Sequence, residues 1–168
     1  LLPEYNGGVT LVPQIMTRQA ESFIWCAGAM GELGYGEVNL NLGCPSATVV
    51  TKGKGAGMLA DLNALRRFLE EVFSAGLPVK ISAKTRLGLE TPEEFPAILA
   101  VLRDFPFSEL IVHPRVRRDF YTGPCRLEWY AAALEGAPCP VCYNGDVLSP
   151  ADRDGVLACF SQTAAVMV

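Results

Sequence analysis

Short apolar runs in this sequence end, one after another, on polar side chains. These side chains are Gln14, Asn41, Lys84, His113 and Asn144. If the runs are neighbouring parallel strands, their carboxyl ends meet at one edge or barrel mouth, and the amide, ammonium and imidazole groups lie close together there. His113 is the only histidine in the chain, so no other side chain has an ordinary pKa near neutrality. Such a group of side chains can bind a polar ligand and position a proton.

The stretch NLNLGCPS (39–46) brings a thiol to the same region. Gly43 and Pro45 flank Cys44 and restrict the backbone of the turn that carries it. Asn41 lies on the strand just before this turn and adds an amide next to the thiol. Two interpretations remain open at this point. Cys44 is either a small buried residue of the core, or a thiol presented to a ligand.

Two further groups of residues have a weaker basis. The run CPVC (139–142) has a Cys-x-x-Cys spacing, but on a strand positions three apart point to opposite faces. No second pair occurs, so neither a zinc site nor a redox pair is favoured, and no metal is expected. Arg115, Arg117 and Arg118 follow the end of a strand, where they form either a solvated loop or a phosphate-binding site.

A repeated strand and helix pattern must position these side chains. The apolar anchors of successive runs are about 30 to 40 residues apart, which is the length of a strand-helix-strand unit. The predicted strands are 9–15, which is anchored on Val9, then 37–42, 78–85, 109–113 and 140–144, with a sixth at 164–168. The clearest predicted helices are 61–76, 91–105 and 149–160, which begin at the caps Asp61, Thr91 and Ser149.

Alternating units of this kind form either an open doubly wound sheet or a (β/α)₈ barrel. No Gly-x-Gly-x-x-Gly motif follows the first strand, and the glycines of KGKGAGML (52–59) lack the strand-to-helix context of that motif. A polar group at the end of strand after strand is typical of a barrel mouth. The pattern therefore predicts an α/β fold of the (β/α)₈ TIM-barrel type.

The composition argues against several classes of protein. Half of the 168 residues are apolar, which predicts a folded domain. The sequence contains neither an apolar run of ~18 residues nor the features of a signal peptide, so a cytoplasmic protein without a membrane partner is expected. The net charge of -4 gives no general affinity for a polyanion, so any contact with nucleic acid must be local. The six scattered cysteines are expected to be free thiols.

A series of motifs occurs along the chain in a familiar order: NLNLGCPS, KGKGAGML, AKTRLG, IVHPR and YNGDVLS. In this order and spacing they resemble the tRNA-dihydrouridine synthases. These are flavoenzymes built on a (β/α)₈ barrel with an appended helical RNA-binding domain. The resemblance extends from Val9 to Val168.

The resemblance implies that flavin mononucleotide (FMN) lies across the mouth of the barrel. The implied cofactor contacts are Gln14, Lys84, His113, Asn144, Gly145 and Asp146. Lys84 would supply positive charge where the reduced flavin becomes anionic. Cys44 matches the catalytic cysteine of the family, while Asn41 and Arg115 match positions implied to contact the substrate. No metal is implied.

The implied reaction is the reduction of uridine in tRNA to 5,6-dihydrouridine. NADPH reduces the flavin, a hydride passes to C6 of the uracil ring, and Cys44 donates a proton to C5. An ordinary thiol has a pKa near ~8.5 and is mostly protonated at neutral pH, so a cysteine can act as this acid. The uridine must be turned out of the RNA to reach the flavin. Candidate contacts to the RNA backbone are Lys52, Lys54, Arg117 and Arg118.

The chain departs from the family pattern at both ends. A complete barrel has eight strands and typically ~250 residues. Residues 1–168 are therefore expected to be the central and C-terminal part of the catalytic barrel, with about six of its eight strand-helix units. The first two strands, the C-terminal end of the barrel and the helical RNA-binding domain are expected to be absent. Two alternatives stay open. One is a flavin-dependent oxidoreductase of a free pyrimidine, as in the dihydroorotate dehydrogenases; the other is a non-catalytic barrel fragment.

Overall fold

The computed structural model describes residues 2–168, in which six parallel strands form one sheet in chain order. The strands are β1 Gln14–Ile15, β2 Glu37–Leu42, β3 Lys80–Arg86, β4 Leu110–His113, β5 Val141–Asn144 and β6 Ala165–Met167. The helices are α1 Ala20–Glu32, α2 Ala47–Val50, α3 Leu62–Ser74, α4 Phe95–Leu102, α5 Leu127–Gly136 and α6 Pro150–Cys159. Short 3₁₀ turns lie at Pro3–Asn6, Gly55–Ala60, Pro92–Glu94 and Arg117–Asp119.

Helix α3 forms where the sequence predicts it. The Asp61 carboxylate accepts hydrogen bonds from the backbone N–H groups of Asn63 and Ala64, which would otherwise lack partners at the start of the helix. The residues of α3 that are buried share one helical face: Leu65, Phe68, Leu69 and Val72. The predicted helix and its predicted cap at Asp61 are both confirmed.

The two other predicted helices form with small differences at their ends. The Glu94 carboxylate accepts from the backbone N–H groups of Leu89, Glu90 and Thr91. The first turn of this segment is a 3₁₀ turn, and α4 proper begins only at Phe95, next to a proline that fixes the backbone. At α6, the Ser149 hydroxyl accepts from the N–H group of Asp152, as the sequence predicts.

The first predicted strand is wrong over most of its length. Only Gln14 and Ile15 pair with β2, and the Pro13 carbonyl adds one bond by accepting from the N–H group of Asn39. Val9, the predicted apolar anchor, lies outside the strand with 69% of its surface exposed. The polar residue of this run is nevertheless placed at the strand, because Gln14 is its first paired residue.

The sheet brings the predicted polar residues into one row through its register. Asn41 on β2 lies beside Lys84 on β3, and Arg86 on β3 lies beside His113 on β4. Helices follow the strands and cover an apolar core to which both contribute. Six consecutive parallel strands that alternate with helices are the arrangement that a (β/α)₈ barrel requires.

Candidate active site

A cavity of about 390 Å³ opens at the carboxyl ends of the strands. We call it the mouth cavity. Every site residue predicted from the sequence lines it: Gln14, Asn41, Cys44, Lys84, His113, Arg115, Asn144, Gly145 and Asp146. The structure thus brings together side chains that come from five different strands or the loops that follow them. Their individual roles stay predictions.

A chain of hydrogen-bonded amide groups, of which Gln14 and Asn41 line the mouth cavity, runs along one side of it. The Asn39 amide donates to the Ser82 hydroxyl at 3.0 Å, and its oxygen accepts from Gln14 Nε2 at 2.8 Å. The Gln14 oxygen accepts in turn from Asn41 Nδ2 at 2.7 Å. These bonds cross from β3 to β2 to β1, so the orientation of each amide is fixed by the next one.

Asn41 also holds the turn that carries the thiol. Its Oδ1 accepts from the backbone N–H groups of Gly43 and Cys44, at 3.1 and 2.9 Å. The Cys44 carbonyl accepts from the N–H group of Ala56 at 3.1 Å. Cys44 is half-buried and lines the mouth cavity, so the structure favours the presented thiol over the buried core residue.

Gly55 allows the close approach of two backbone segments beneath this thiol. Its φ is +55°, and a Cβ added there would lie 2.8 Å from Cys44 Cβ and 2.9 Å from the Cys44 carbonyl oxygen. Both atoms belong to positions that cannot swing away as the end of a long side chain can. The glycines of the KGKGAGML motif therefore have a structural use here, which is to let the 3₁₀ turn support the Cys44 loop.

Replacing Gly55 with alanine is expected to lower the free energy of unfolding by about 2 to 5 kcal/mol, which combines the cost of a positive φ with that of overpacking. Urea denaturation measures this loss. Gly28 is the matched control, because it lies in α1 with no atom within 4 Å of an added Cβ. Gly28→Ala should leave stability unchanged or raise it. Equal stability of the Gly55 variant and the wild type would contradict the proposed close approach.

Lys84, His113 and Asn144 form the opposite side of the mouth cavity. The Asn144 Oδ1 accepts from Lys84 Nζ at 2.6 Å and lies 3.2 Å from His113 Nδ1. Asn144 Nδ2 donates to the Met167 carbonyl of β6, which fixes the direction of the amide. One asparagine therefore links the ends of β3, β4, β5 and β6.

The electrostatics of this side disfavour extra positive charge. Burial, with a smaller contribution from the nearby Arg86 guanidinium, lowers the pKa of Lys84 to about 8. Burial likewise lowers the pKa of His113 to about 4, with contributions from Arg86, Lys84 and Arg115. His113 is thus neutral at pH 7, whereas Lys84 is mostly charged and lies close to its titration. Pockets in which groups have strongly shifted pKa values are typical of functional sites.

Arg115 and Asp146 form a bidentate ion pair at the rim of the mouth cavity. Arg115 Nη1 and Nη2 donate to the two Asp146 oxygens at 2.8 and 2.5 Å, and Arg115 Nε donates to the Gly123 carbonyl. The Arg115 side chain is 4% exposed and the Asp146 side chain 59%. The guanidinium holds the pKa of the Asp146 carboxyl below its usual value. Arg115 directs these contacts into the protein, so its predicted contact with a substrate stays a prediction.

Two other residues line the mouth cavity, Arg86 and Tyr121, and the sequence assigned no role to either. Arg86 is 2% exposed, donates to the Gly43 carbonyl at 2.8 Å and to the Phe120 carbonyl at 2.8 Å, and lies 5.3 Å from the centre of the Tyr121 ring. Tyr121 is 68% exposed. The pair of adjacent aromatic residues in the loop after β4, Phe120 and Tyr121, was the available signal for Tyr121.

The four basic residues proposed for RNA contacts do not line the mouth cavity. Lys52 is exposed and Lys54 half-buried beside the Cys44 loop. Arg117 Nε donates to the Pro45 carbonyl at 3.3 Å, and Arg118 approaches Glu90 at 4.0 Å. These residues lie near the mouth, and their predicted contacts with RNA stay predictions.

Three further observations concern the cysteines, possible metal ligands and possible membrane-spanning helices. All six cysteines are free thiols, as predicted, and burial raises the pKa of Cys142 to about 12. Residues 2–168 contain no group of three or more His, Cys, Asp or Glu side chains placed to hold a metal ion. Within the same range, no helix has both the length and the hydropathy to span a membrane.

A second cavity of about 480 Å³ lies near the opposite ends of the strands, lined by Phe73, Lys80 and Ser108 among others. Lys80 is the first residue of β3, so this cavity is at the amino end of the sheet. In barrels of this type the active site is at the carboxyl end. The mouth cavity, where several strands contribute polar groups, is therefore the candidate active site.

The fold and the position of the mouth cavity at the carboxyl ends of the strands indicate the class of protein. The structure of histamine dehydrogenase from Rhizobium sp. 4-9 superposes with a TM-score of 0.60 at 11% sequence identity, over 87% of this chain and 24% of that chain. This likeness concerns the fold alone and supports the TIM-barrel prediction. The chain represents six strands of such a barrel.

The particular family follows from the sequence profile that matches this chain. The profile of the dihydrouridine synthases (Dus) matches residues 3–168, and the chain belongs to this family. The tRNA-dihydrouridine synthase B of Pseudomonas aeruginosa is 33% identical over 120 residues, which are 71% of this chain and 36% of that protein. The tRNA-dihydrouridine(16) synthase of Cupriavidus necator is 30% identical over 149 residues, or 88% of this chain and 46% of that protein. The chain thus spans less than half the length of these relatives.

Proposed function

We propose that this chain forms the catalytic mouth of a flavin-dependent tRNA-dihydrouridine synthase, which reduces uridine in tRNA to 5,6-dihydrouridine. Family membership supports the reaction. The observation that carries the proposal is the half-buried Cys44 thiol, which lines the same cavity as Lys84 and Asn144. Residues 1–168 would be the central and C-terminal part of the catalytic barrel.

The mouth cavity suits FMN in size and in chemistry. Its volume of about 390 Å³ lies in the range of small-molecule sites. Lys84 Nζ has three N–H donors and gives one to Asn144, so the others remain for a ligand. A cation held in a partly buried cavity stabilises a ligand that gains negative charge. Gln14 and Gly145 border the same space and are proposed contacts, with His113 and Asp146.

The residues of this chain have separate tasks in the proposed reaction. FMN, when bound, supplies a hydride to C6 of the uracil ring, with electrons that come from NADPH. Cys44 donates its proton to C5 on completion of that transfer. Asn41 holds the turn from which the thiol acts, through its bonds to the N–H groups of Gly43 and Cys44. Lys84 retains its positive charge at neutral pH.

The proposed substrate is a uridine turned out of tRNA, because a stacked base cannot reach the mouth cavity. The exposed Tyr121 ring at the rim offers a surface on which an unstacked base can pack. Lys52, Lys54, Arg117 and Arg118 are proposed contacts to the phosphates around it. We place this activity in the cytoplasm, where both tRNA and NADPH are available.

The experiment that tests this function uses the full-length protein that contains this chain. The purified protein is expected to show flavin absorption, to bleach on addition of NADPH, and then to form dihydrouridine in an unmodified tRNA transcript. If the protein is colourless and does not bind added FMN, the proposed function is wrong and the remaining interpretation is a barrel without catalytic activity. Reduction of free uracil or orotate in place of tRNA would favour an enzyme of free pyrimidines.

A further inference from the structure

The His113 ring is held at both of its nitrogen atoms. Nδ1 lies 3.2 Å from Asn144 Oδ1, and Nε2 lies 3.2 Å from Arg115 Nη1. His113 is 5% exposed, so water has little access to either nitrogen. The partners therefore decide which nitrogen carries the proton of the neutral ring.

Arginine settles this choice because a guanidinium donates hydrogen bonds and does not accept them. Nε2 must accept from Arg115, and in the neutral ring the proton is then on Nδ1. Nδ1 in turn needs an acceptor, and Asn144 provides its oxygen. The direction of the Asn144 amide has independent support, because Nδ2 donates to the Met167 carbonyl and Oδ1 accepts from Lys84.

We propose that Arg115, oriented by Asp146, is a positioning residue that holds His113 as the neutral tautomer with its proton on Nδ1. The guanidinium has little freedom to leave this arrangement. Two of its bonds go to Asp146 and one to the Gly123 carbonyl, and the side chain is 4% exposed. With three of its five N–H groups held in this way, the planar guanidinium presents the second N–H group of Nη1 in a fixed direction, toward His113 Nε2.

The charges around the ring favour the neutral form. Lys84 and Arg86 face it from β3, Arg115 from the loop after β4, and Asp146 from the loop after β5. The Tyr121 ring lies edge-on at 6.4 Å. Burial and the three cations lower the pKa of His113 to about 4, although the hydrogen bond to Asn144 acts in the opposite direction. A proton gained by the ring would lie on Nε2, facing a guanidinium, which is the least favourable place for it.

This arrangement separates the tasks of His113 and Cys44. With Nε2 accepting from Arg115 and Nδ1 donating to Asn144, both nitrogen atoms of His113 are engaged, and the neutral ring is not an acid at neutral pH. The ring helps to hold the Asn144 amide at the mouth cavity, whereas the proton of the reaction must come from another residue. That consequence rests on the proposed function, while the tautomer itself rests on the contacts alone.

Nitrogen-15 NMR of the histidine ring tests the tautomer directly. Protein labelled with [¹⁵N]histidine should show, at pH 7, a protonated Nδ1 and a non-protonated Nε2 for the signal that disappears in His113→Gln. In Arg115→Met, the ring should exchange between both tautomers and its pKa should rise, because a cation is lost. Arg115→Lys should restore the low pKa in part but not the single tautomer. Arg118→Gln is the control, since its exposed side chain has no contact with His113.

Two results would overturn the proposal: a protonated Nε2 in the wild type, or an unchanged tautomer in folded Arg115→Met. If that variant does not fold, Asp146→Asn serves instead, because Asp146 is largely exposed and the amide oxygen of asparagine can still accept one bond from the buried Arg115 guanidinium. In Asp146→Asn, a fraction of the His113 rings is expected to adopt the other tautomer. An unchanged spectrum of this variant would remove Asp146 from the proposal. The readout needs neither RNA nor turnover. A protein without dihydrouridine activity but with the Nδ1–H spectrum would reject the proposed reaction and retain this inference.

Discussion

The Cys44→Ala variant is expected to form dihydrouridine about 10²- to 10⁴-fold more slowly than the wild type, which is the usual loss when a general acid is removed. Reduction of the flavin by NADPH should be unchanged, because it precedes the proton transfer to C5. Single-turnover assays with pre-reduced protein and a tRNA transcript separate the two steps. The variant should fold normally, since the turn is held by backbone groups of Cys44 and not by its thiol.

A cysteine that does not line the mouth cavity provides the matched control. Cys159 is exposed near the end of α6 and is free. Cys159→Ala should leave both flavin reduction and product formation at wild-type rates. Undiminished product from Cys44→Ala would remove this thiol from the mechanism. Slow flavin reduction in the same variant would instead assign Cys44 to binding of the cofactor.

The second large effect is expected from Lys84→Met, which removes the only lysine that lines the described mouth cavity. A hydrogen bond to a charged group contributes about 1.5 to 3 kcal/mol, so the two-electron midpoint potential of the bound flavin should fall by roughly 30 to 65 mV. The potential should fall because Lys84→Met removes a cation that favours the reduced, anionic flavin. Potentiometric titration measures the shift. Lys80→Met is the control, because Lys80 lies exposed at the other end of β3.

The same lysine predicts a dependence on pH in the ligand-free protein. The pKa of Lys84 is lowered to about 8 from an ordinary value of 10.5, so the cation is present below pH 8 and is lost above it. FMN affinity of the wild type should fall as the pH rises through about 8, whereas that of Lys84→Met should stay flat. The effect of pH on stability runs in the opposite direction. Between pH 8 and 10.5, Lys84 is protonated in the unfolded chain but not in the folded protein, so the free energy of unfolding of the wild type rises as the pH rises across that interval. A wild-type affinity that is flat through pH 8 would contradict this assignment.

The sequence predicted the placement of the polar residues at one cavity better than it predicted the element boundaries. Strand ends could be read because each apolar run stops at a polar residue, and parallel pairing then brings Asn41 beside Lys84 without further information. The first strand failed because apolar residues such as Val9 satisfy the pattern without being paired. Helix α1 was not assigned, since its apolar residues surround it: Phe23 is buried, whereas Trp25 is 74% exposed.

The contacts made across the mouth cavity could not be predicted from the sequence. Arg115 and Asp146 are 31 positions apart, and nothing local shows that the two loops meet. The same holds for Arg86, whose guanidinium reaches the Gly43 carbonyl from 43 positions away. Such bonds depend on the final curvature and register of the sheet, which a one-dimensional pattern of apolar and polar residues does not contain.

The turn around Cys44 is supported by three separate segments: the Asn41 side chain of β2, the Arg86 guanidinium of β3 and the backbone of the Gly55–Ala60 turn. Its conformational entropy is therefore already lost during folding, before any ligand arrives. In the proposed reaction, a base that enters the mouth would meet a thiol whose backbone does not have to be ordered again, so more of its binding energy would remain for unstacking from the RNA. We expect the backbone of this turn to have the same amide exchange protection with and without ligand.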